Sequence, residues 1–219
     1  MLARVTDPQL SPDGTRVLYD VRSTDFKADR GVHATWMLDL ANPEHPSRLA
    51  ISSGGSGTAR WSPDGHAIYF LSDRSGSTQL WRANAQGTGP VQITKLPVDV
   101  QTFRIAPDEK HAIVALAVFP ECATLECSAA RLAKIATHKP SGRLYTHVFV
   151  RHWDTWADGT RNHLYAVQLH ESGAASSNAV SLMGSFDGDV PSKPFGDETD
   201  FTIAPNSRTV VFFRAPRRT

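Results

Sequence analysis

Short apolar runs of β-prone residues recur along this chain, each led in by the same polar phrase. Val17-Leu18-Tyr19, Ile68-Tyr69-Phe70-Leu71, Ile113-Val114-Ala115-Leu116 and Val210-Val211-Phe212-Phe213 follow Ser11-Pro12-Asp13-Gly14, Ser62-Pro63-Asp64-Gly65, Ala106-Pro107-Asp108-Glu109 and Ala204-Pro205-Asn206-Ser207 in turn. Proline pre-sets φ at the first corner of a tight turn, Asp or Asn bonds its own downstream backbone, and Gly supplies a positive φ. The repeated unit is therefore a β-hairpin, and the phrase signals a turn rather than chemistry.

Further strand signals complete each unit. Pro8-Gln9-Leu10, Arg16 to Val21, Thr35 to Leu40 and Arg48 to Ile51 make four strands. Ala59-Arg60-Trp61, Ala67 to Leu71, Gln79 to Ala83 and Val91 to Thr94 repeat the plan. Four antiparallel strands per period of about 45 residues predict the blade of a β-propeller. The fold class expected is all-β, an incomplete propeller of about three and a half four-stranded blades. The expected boundaries are blade 1 over about 5–57, blade 2 over about 58–100, blade 3 over about 101–198 and a half blade 4 over about 199–219.

The third unit starts normally at Phe103-Arg104-Ile105, but the next turn phrase comes only at Pro205. A short helical insertion in the third blade accounts for part of the excess. Ala129, Ala130, Leu132, Ala133, Ile135 and Ala136 have helical spacing and favourable propensities within residues 122–139. The rest is expected to be a hairpin, Val148 to Trp153 turning at Asp158-Gly159 into His163 to Val167. An unfinished propeller leaves strand edges and an apolar blade face open, so a partner, more chain or an unusual arrangement is expected to cover them. Two copies would make seven blades, and a homodimer completing the propeller about a two-fold axis is one expectation.

Composition narrows the function classes. The 23 Lys and Arg nearly balance the 22 Asp and Glu, and the basic residues are scattered apart from Arg214, Arg217 and Arg218. No nucleic-acid partner is expected. No run approaches the roughly 20 apolar residues that span a bilayer, and because Met1-Leu2-Ala3-Arg4 leads almost directly into the first repeat no signal peptide is expected in the residues given. A soluble chain with no membrane partner is expected, its compartment open between the periplasm and cytoplasm of a bacterium. Cys122 and Cys127 suit either a local disulfide or two reduced thiols. No second close pair follows that would build a zinc site, so no metal and no cofactor is expected.

The Ser-Pro-Asp-Gly hairpins, with Ile68-Tyr69-Phe70-Leu71-Ser72-Asp73-Arg74 and Gln79-Leu80-Trp81, resemble the propeller repeats of TolB-type proteins and of the prolyl oligopeptidase family of serine peptidases. Two segments, Val150-Arg151-His152-Trp153-Asp154-Thr155-Trp156 and Asp189-Val190-Pro191-Ser192-Lys193-Pro194-Phe195-Gly196, are similar to the N-terminal propeller of bacterial dipeptidyl-peptidase and acylaminoacyl-peptidase members. The resemblance implies a propeller that gates and orients short peptide substrates for a C-terminal α/β-hydrolase domain with a Ser-Asp-His triad. That domain is absent from this sequence, and no Gly-x-Ser-x-Gly elbow occurs: Gly54-Gly55-Ser56-Gly57-Thr58 fails at its last position. No catalytic residue is therefore assigned. The expected partners are peptide substrates and the missing hydrolase domain or remaining blades. The alternative function is a TolB-like module mediating protein–protein interaction.

Insertions on repeat scaffolds map to one face, often the binding face. Asp154 or Glu121 is expected to hold a peptide amine, Trp153 and Trp156 to line a side-chain pocket, and Arg151 to take a peptide carbonyl, with His152 beside them. The opposing expectation makes Arg151 and Asp154 a mutual ion pair and packs the tryptophans under a loop. His152 and Asp154 share a strand face but lack a third metal ligand. The remaining histidines read as surface residues. Asp187, Asp189, Asp197, Glu198 and Asp200 read as a solvated loop rather than a calcium site, because their spacing does not fit an EF-hand.

Overall fold

The four turn phrases fold alike. In the computed structural model, which describes residues 3–138, 142, 145, 151–152, 155–170, 174–213 and 215–216, the amide at the fourth position donates to the carbonyl of the first in every copy: Gly14 to Ser11, Gly65 to Ser62, Glu109 to Ala106 and Ser207 to Ala204, at 2.9 Å each. The Asp or Asn at the third position accepts from the amide two residues on, as in Asp64 from His66 at 2.9 Å and Asn206 from Arg208 at 3.0 Å. The fourth residue adopts a left-handed φ throughout, +72° at Gly14, +74° at Gly65, +53° at Glu109 and +59° at Ser207. Glycine removes the Cβ conflict in the first two copies; the last two copies accept it.

Around these turns stand three four-stranded antiparallel sheets and a fourth, two-stranded one. The first orders β1 (Arg4–Leu10), β2 (Arg16–Asp25), β3 (Arg30–Asp39) and β4 (Ser47–Arg48); the second orders β5 (Gly57–Trp61), β6 (Ala67–Ser72), β7 (Gln79–Asn84) and β8 (Val91–Gln92). In the third, β9 (Val100–Ile105) and β10 (His111–Val118) are followed by helix α1 (Leu125–Ala136) and a small hairpin of β11 (Arg151–His152) and β12 (Thr155–Trp156). The sheet then resumes with β13 (Arg161–Gln168) and β14 (Val180–Ser181). After β15 (Gly188–Asp189), β16 (Phe201–Ile203) and β17 (Val210–Phe212) pair as the fourth unit, and β18 (Ala215–Pro216) pairs back onto β15. This is an incomplete β-propeller.

The hydrophobic pattern explains the stacking. Strand β6 is buried at every position because its sheet is covered on both faces. Ile68 and Phe70 pack with Leu18 and Ile51 of the first unit, whereas Tyr69 and Leu71 pack with Phe103 and Val114 of the third. Strand β10 does the same, sending Val114 and Leu116 back to the second sheet and Ile113 and Ala115 forward to Val190 and Phe201. Continuous apolar runs are what a strand sandwiched between two layers requires. At the ends of the stack one face is open: Val5 and Leu10 in β1 are 65% and 61% exposed, and Val211 and Phe213 are 58% and 75% exposed.

Helix α1 forms within the expected span. Thr124 caps it by accepting from the Cys127 amide at 3.2 Å, Leu125, Ala129 and Leu132 pack against the core, and buried Ser128 accepts from the Phe119 amide at 3.1 Å. The hairpin differs from expectation. Arg151 pairs with Trp156 and His152 with Thr155, a pairing that falls ahead of Asp158-Gly159. His163 to Val167 instead joins the main sheet, with Leu164 facing Ala115 of β10. An apolar run with β10 beside it buries more in the sheet than in an isolated hairpin. Residues 148–150 lie outside the described residues.

Candidate functional site

The inserted segment presents cations and aromatic faces. Pairing of β11 with β12 puts Arg151 directly opposite Trp156, with the guanidinium carbon 5.1 Å from the indole ring centre. Tyr145 stacks on the same indole at 5.8 Å between centroids and 19° between planes. Trp156 remains 47% exposed, so the stack is a surface feature rather than core packing. Tyr145 was absent from the residues expected at this site, because nothing in the local pattern places it near residue 156. Trp153 and Asp154 lie outside the described residues, and His152 is placed only as a member of β11.

Glu121 is engaged elsewhere. It forms an ion pair with Arg131 of α1, both side chains being exposed, and Arg131 also covers the Phe119 ring at 4.0 Å. Bonds within its own turn and from Arg131 hold the Glu121 carboxyl below its ordinary range. The neighbouring Cys122 and Cys127 are joined by a disulfide across the first turn of α1. Beside it is an open cleft of about 460 Å³, lined by Pro120, Cys122, Glu126, Tyr165, Asn178 and Ser181 among others.

The acidic stretch before the fourth unit is extensively hydrogen-bonded, with Asp187 and Asp197 still exposed. Asp187 pairs with Arg161 at 2.8 Å, Asp189 accepts from the Asn162 amide at 2.8 Å, and Asp200 accepts from Ser192 at 2.8 Å through both its amide and hydroxyl. Asp197 caps the following turn through Thr199. Glu198 pairs with Arg60 of β5, which also binds Asp7 of β1 at 2.7 Å. Burial alone would lower the Arg60 pKa, but the Asp7 and Glu198 carboxylates hold it above its ordinary value. The expectation of a solvated loop fails at Glu198, because Arg60 and Arg104, which engage it, come from strands distant in sequence.

The surface assignment of the histidines fails at His163, which is 1% exposed. Burial lowers its pKa, against the pull of the Phe186 and Gly188 backbone and of Asp189. Among the described residues no group of three His, Cys, Asp or Glu side chains could hold a metal ion, and no helix is long and apolar enough to cross a membrane.

Over 216 residues the chain is 26% identical to dipeptidyl-peptidase 5 of Porphyromonas endodontalis and 27% identical to that of Porphyromonas gingivalis, in each case covering 96% of this chain and 29% of the relative. The chain is homologous to dipeptidyl-peptidase 5. It spans less than a third of the length of these relatives. The acylaminoacyl peptidase of Pyrococcus horikoshii has a similar fold, with a TM-score of 0.57 at 12% identity over 82% of this chain and 25% of that one. No family model matches. The relationship to dipeptidyl-peptidase 5 thus takes in the three four-stranded sheets, the insertion and the connection into the fourth unit alike.

Proposed function

We propose that this chain is the non-catalytic propeller part of a serine exopeptidase, gating and orienting short peptides for a hydrolase domain outside this sequence. The observation that carries the reading is the alignment of 96% of the chain with only 29% of dipeptidyl-peptidase 5, together with the absence of a Gly-x-Ser-x-Gly elbow from these residues. The Tyr145–Trp156–Arg151 stack is the peptide-facing surface in this reading. An exposed indole flanked by a guanidinium offers an apolar face to a substrate side chain and a donor to its carbonyl. A rigid blade fixes the distance between such contacts and a nucleophile, and so how many residues are released.

The test is kinetic. The chain alone should leave chromogenic dipeptide substrates intact. Fused to a dipeptidyl-peptidase 5 hydrolase portion it should support their cleavage, and Trp156→Ala should raise KM about tenfold with kcat largely kept. A fusion that folds and cleaves denatured protein as readily as dipeptides would sink the gating role; unchanged KM in Trp156→Ala would remove the stack from the site.

A further inference from the structure

Residues 189–200, which lead into the fourth unit, are fastened at both ends. At the outer end Val190 donates to the Asn162 carbonyl at 2.7 Å and Lys193 Nζ donates to Thr160 Oγ1 at 2.6 Å, both partners lying at the start of the third sheet's β13. At the inner end the Glu198 carboxylate meets Arg60 of β5, while Thr102 Oγ1 of β9 donates to its second oxygen at 3.4 Å and Arg104 Nε donates to its carbonyl at 2.7 Å. Arg60 in turn holds Asp7 of β1. One residue of the connection therefore ties together the first strand of all three complete sheets.

The backbone is bent to make this junction. Asp7 has φ +56° and Thr58 has φ +54°, each the fourth residue ahead of its turn phrase, and both β1 and β5 change register there. Non-glycine residues enter this region at a cost, and bulges of this kind re-aim a side chain. Here Asp7 is turned onto Arg60 while Thr58 donates its amide to Asp20 at 3.1 Å. The side chains of Arg60 and Glu198 are each 15% exposed, so salt screens the pair weakly.

We infer that Glu198 is the tip of a latch: docked on Arg60, it holds the lead-in to the fourth unit against the first two sheets. Undocked, residues 194–199 move as one strap between the outer anchor at Lys193 and Phe201, which stays packed against Ile113 and Ala115. A desolvated ion pair of this kind contributes registry more than net stability. The latch stands independently of any peptide, because it rests on bonds within the chain.

Hydrogen exchange followed by mass spectrometry on the whole chain tests it, using Arg60→Met, the near-isosteric Glu198→Gln, and Arg131→Met as a control at the exposed Glu121 pair. Arg60→Met and Glu198→Gln should each speed exchange about tenfold in residues 194–199 and in the Asp7 stretch of β1, with β6 unchanged. The double variant should be no faster than either single one, and Arg131→Met should leave both regions as they are. Acceleration confined to residues 57–61, an even rise across all sheets, or additive effects in the double variant would each overturn the latch. Should Arg60→Met fail to fold, the Glu198→Gln map decides by the same criteria.

Discussion

Glu109 occupies a position where the first two units place glycine. Its φ of +53° is left-handed, and one carboxyl oxygen is buried without a hydrogen-bond partner among the described residues. Burial and then the Asp64 charge raise its pKa. A carboxyl with a raised folded pKa favours the folded state fully below its ordinary value of 4.5 and loses that contribution as pH rises through the folded value. Glu109→Gly should stabilise the chain by about 1 kcal/mol or more at neutral pH, where the left-handed backbone and the ionised, part-buried carboxylate both oppose folding, read as a higher urea midpoint. Gly65→Ala should move the midpoint down by a similar amount.

Asp13 shows the opposite sign. The Ser11 hydroxyl, at 2.5 Å, and then the Thr15 amide hold its pKa down to about 2 from 3.8. Its contribution is present above pH 3.8 and is lost as pH falls through about 2. Ser11→Ala should bring the Asp13 titration back toward 3.8 in an NMR pH series; an unmoved titration would show that the backbone bonds suffice. Both residues were legible as turn formers, but only the Asp13 shift has a local cause; Glu109 is shifted by burial and by Asp64 of the neighbouring unit.

At the scale of elements, α1 was visible in the sequence because Ala129, Leu132, Ala133 and Ala136 repeat at helical spacing, and a cap plus one face packed on the core is all it needs. Its exposed remainder predicts dependence on a few groups. Thr124→Ala should cost about 1 kcal/mol through loss of the cap. Ser128→Ala should cost about 1–3 kcal/mol, because it orphans the buried Phe119 amide. Chemical denaturation with circular dichroism at 222 nm measures both. The β11–β12 hairpin was misplaced for an equally physical reason: Asp158-Gly159 does form a turn-like site, with Gly159 at φ +88°. It joins the insertion to β13 instead, because β10 offers that strand an eight-residue partner.

Across the whole molecule, three stacked sheets share their cores while the two outermost faces stay bare. Phe70 is fully buried between the first and second units, so Phe70→Ala should cost about 3–5 kcal/mol, a large part of the stability of a typical domain. The exposed Val211 and Phe213 sit on the open side of the fourth unit. Apolar surface of this kind drives association, so Val211→Ser with Phe213→Ser should lower the tendency to self-associate in analytical ultracentrifugation, with the β spectrum unchanged. Faster sedimentation of the double variant would show that these side chains are not the adhesive face.

The sequence by itself determined the repeat, its turns and the apolar runs that became β6 and β10, because each depends on residues a few positions apart. Only the tertiary structure decided that Arg60 meets Asp7 and Glu198, that Tyr145 lies on Trp156, that Glu121 is taken by Arg131, and that His163 is buried. Those contacts join residues far apart in the chain or across a sheet, and no local pattern records which strands a propeller brings to the same edge. Charges that read as solvent-facing in a loop became ties between units once the stacking of sheets removed the water around them.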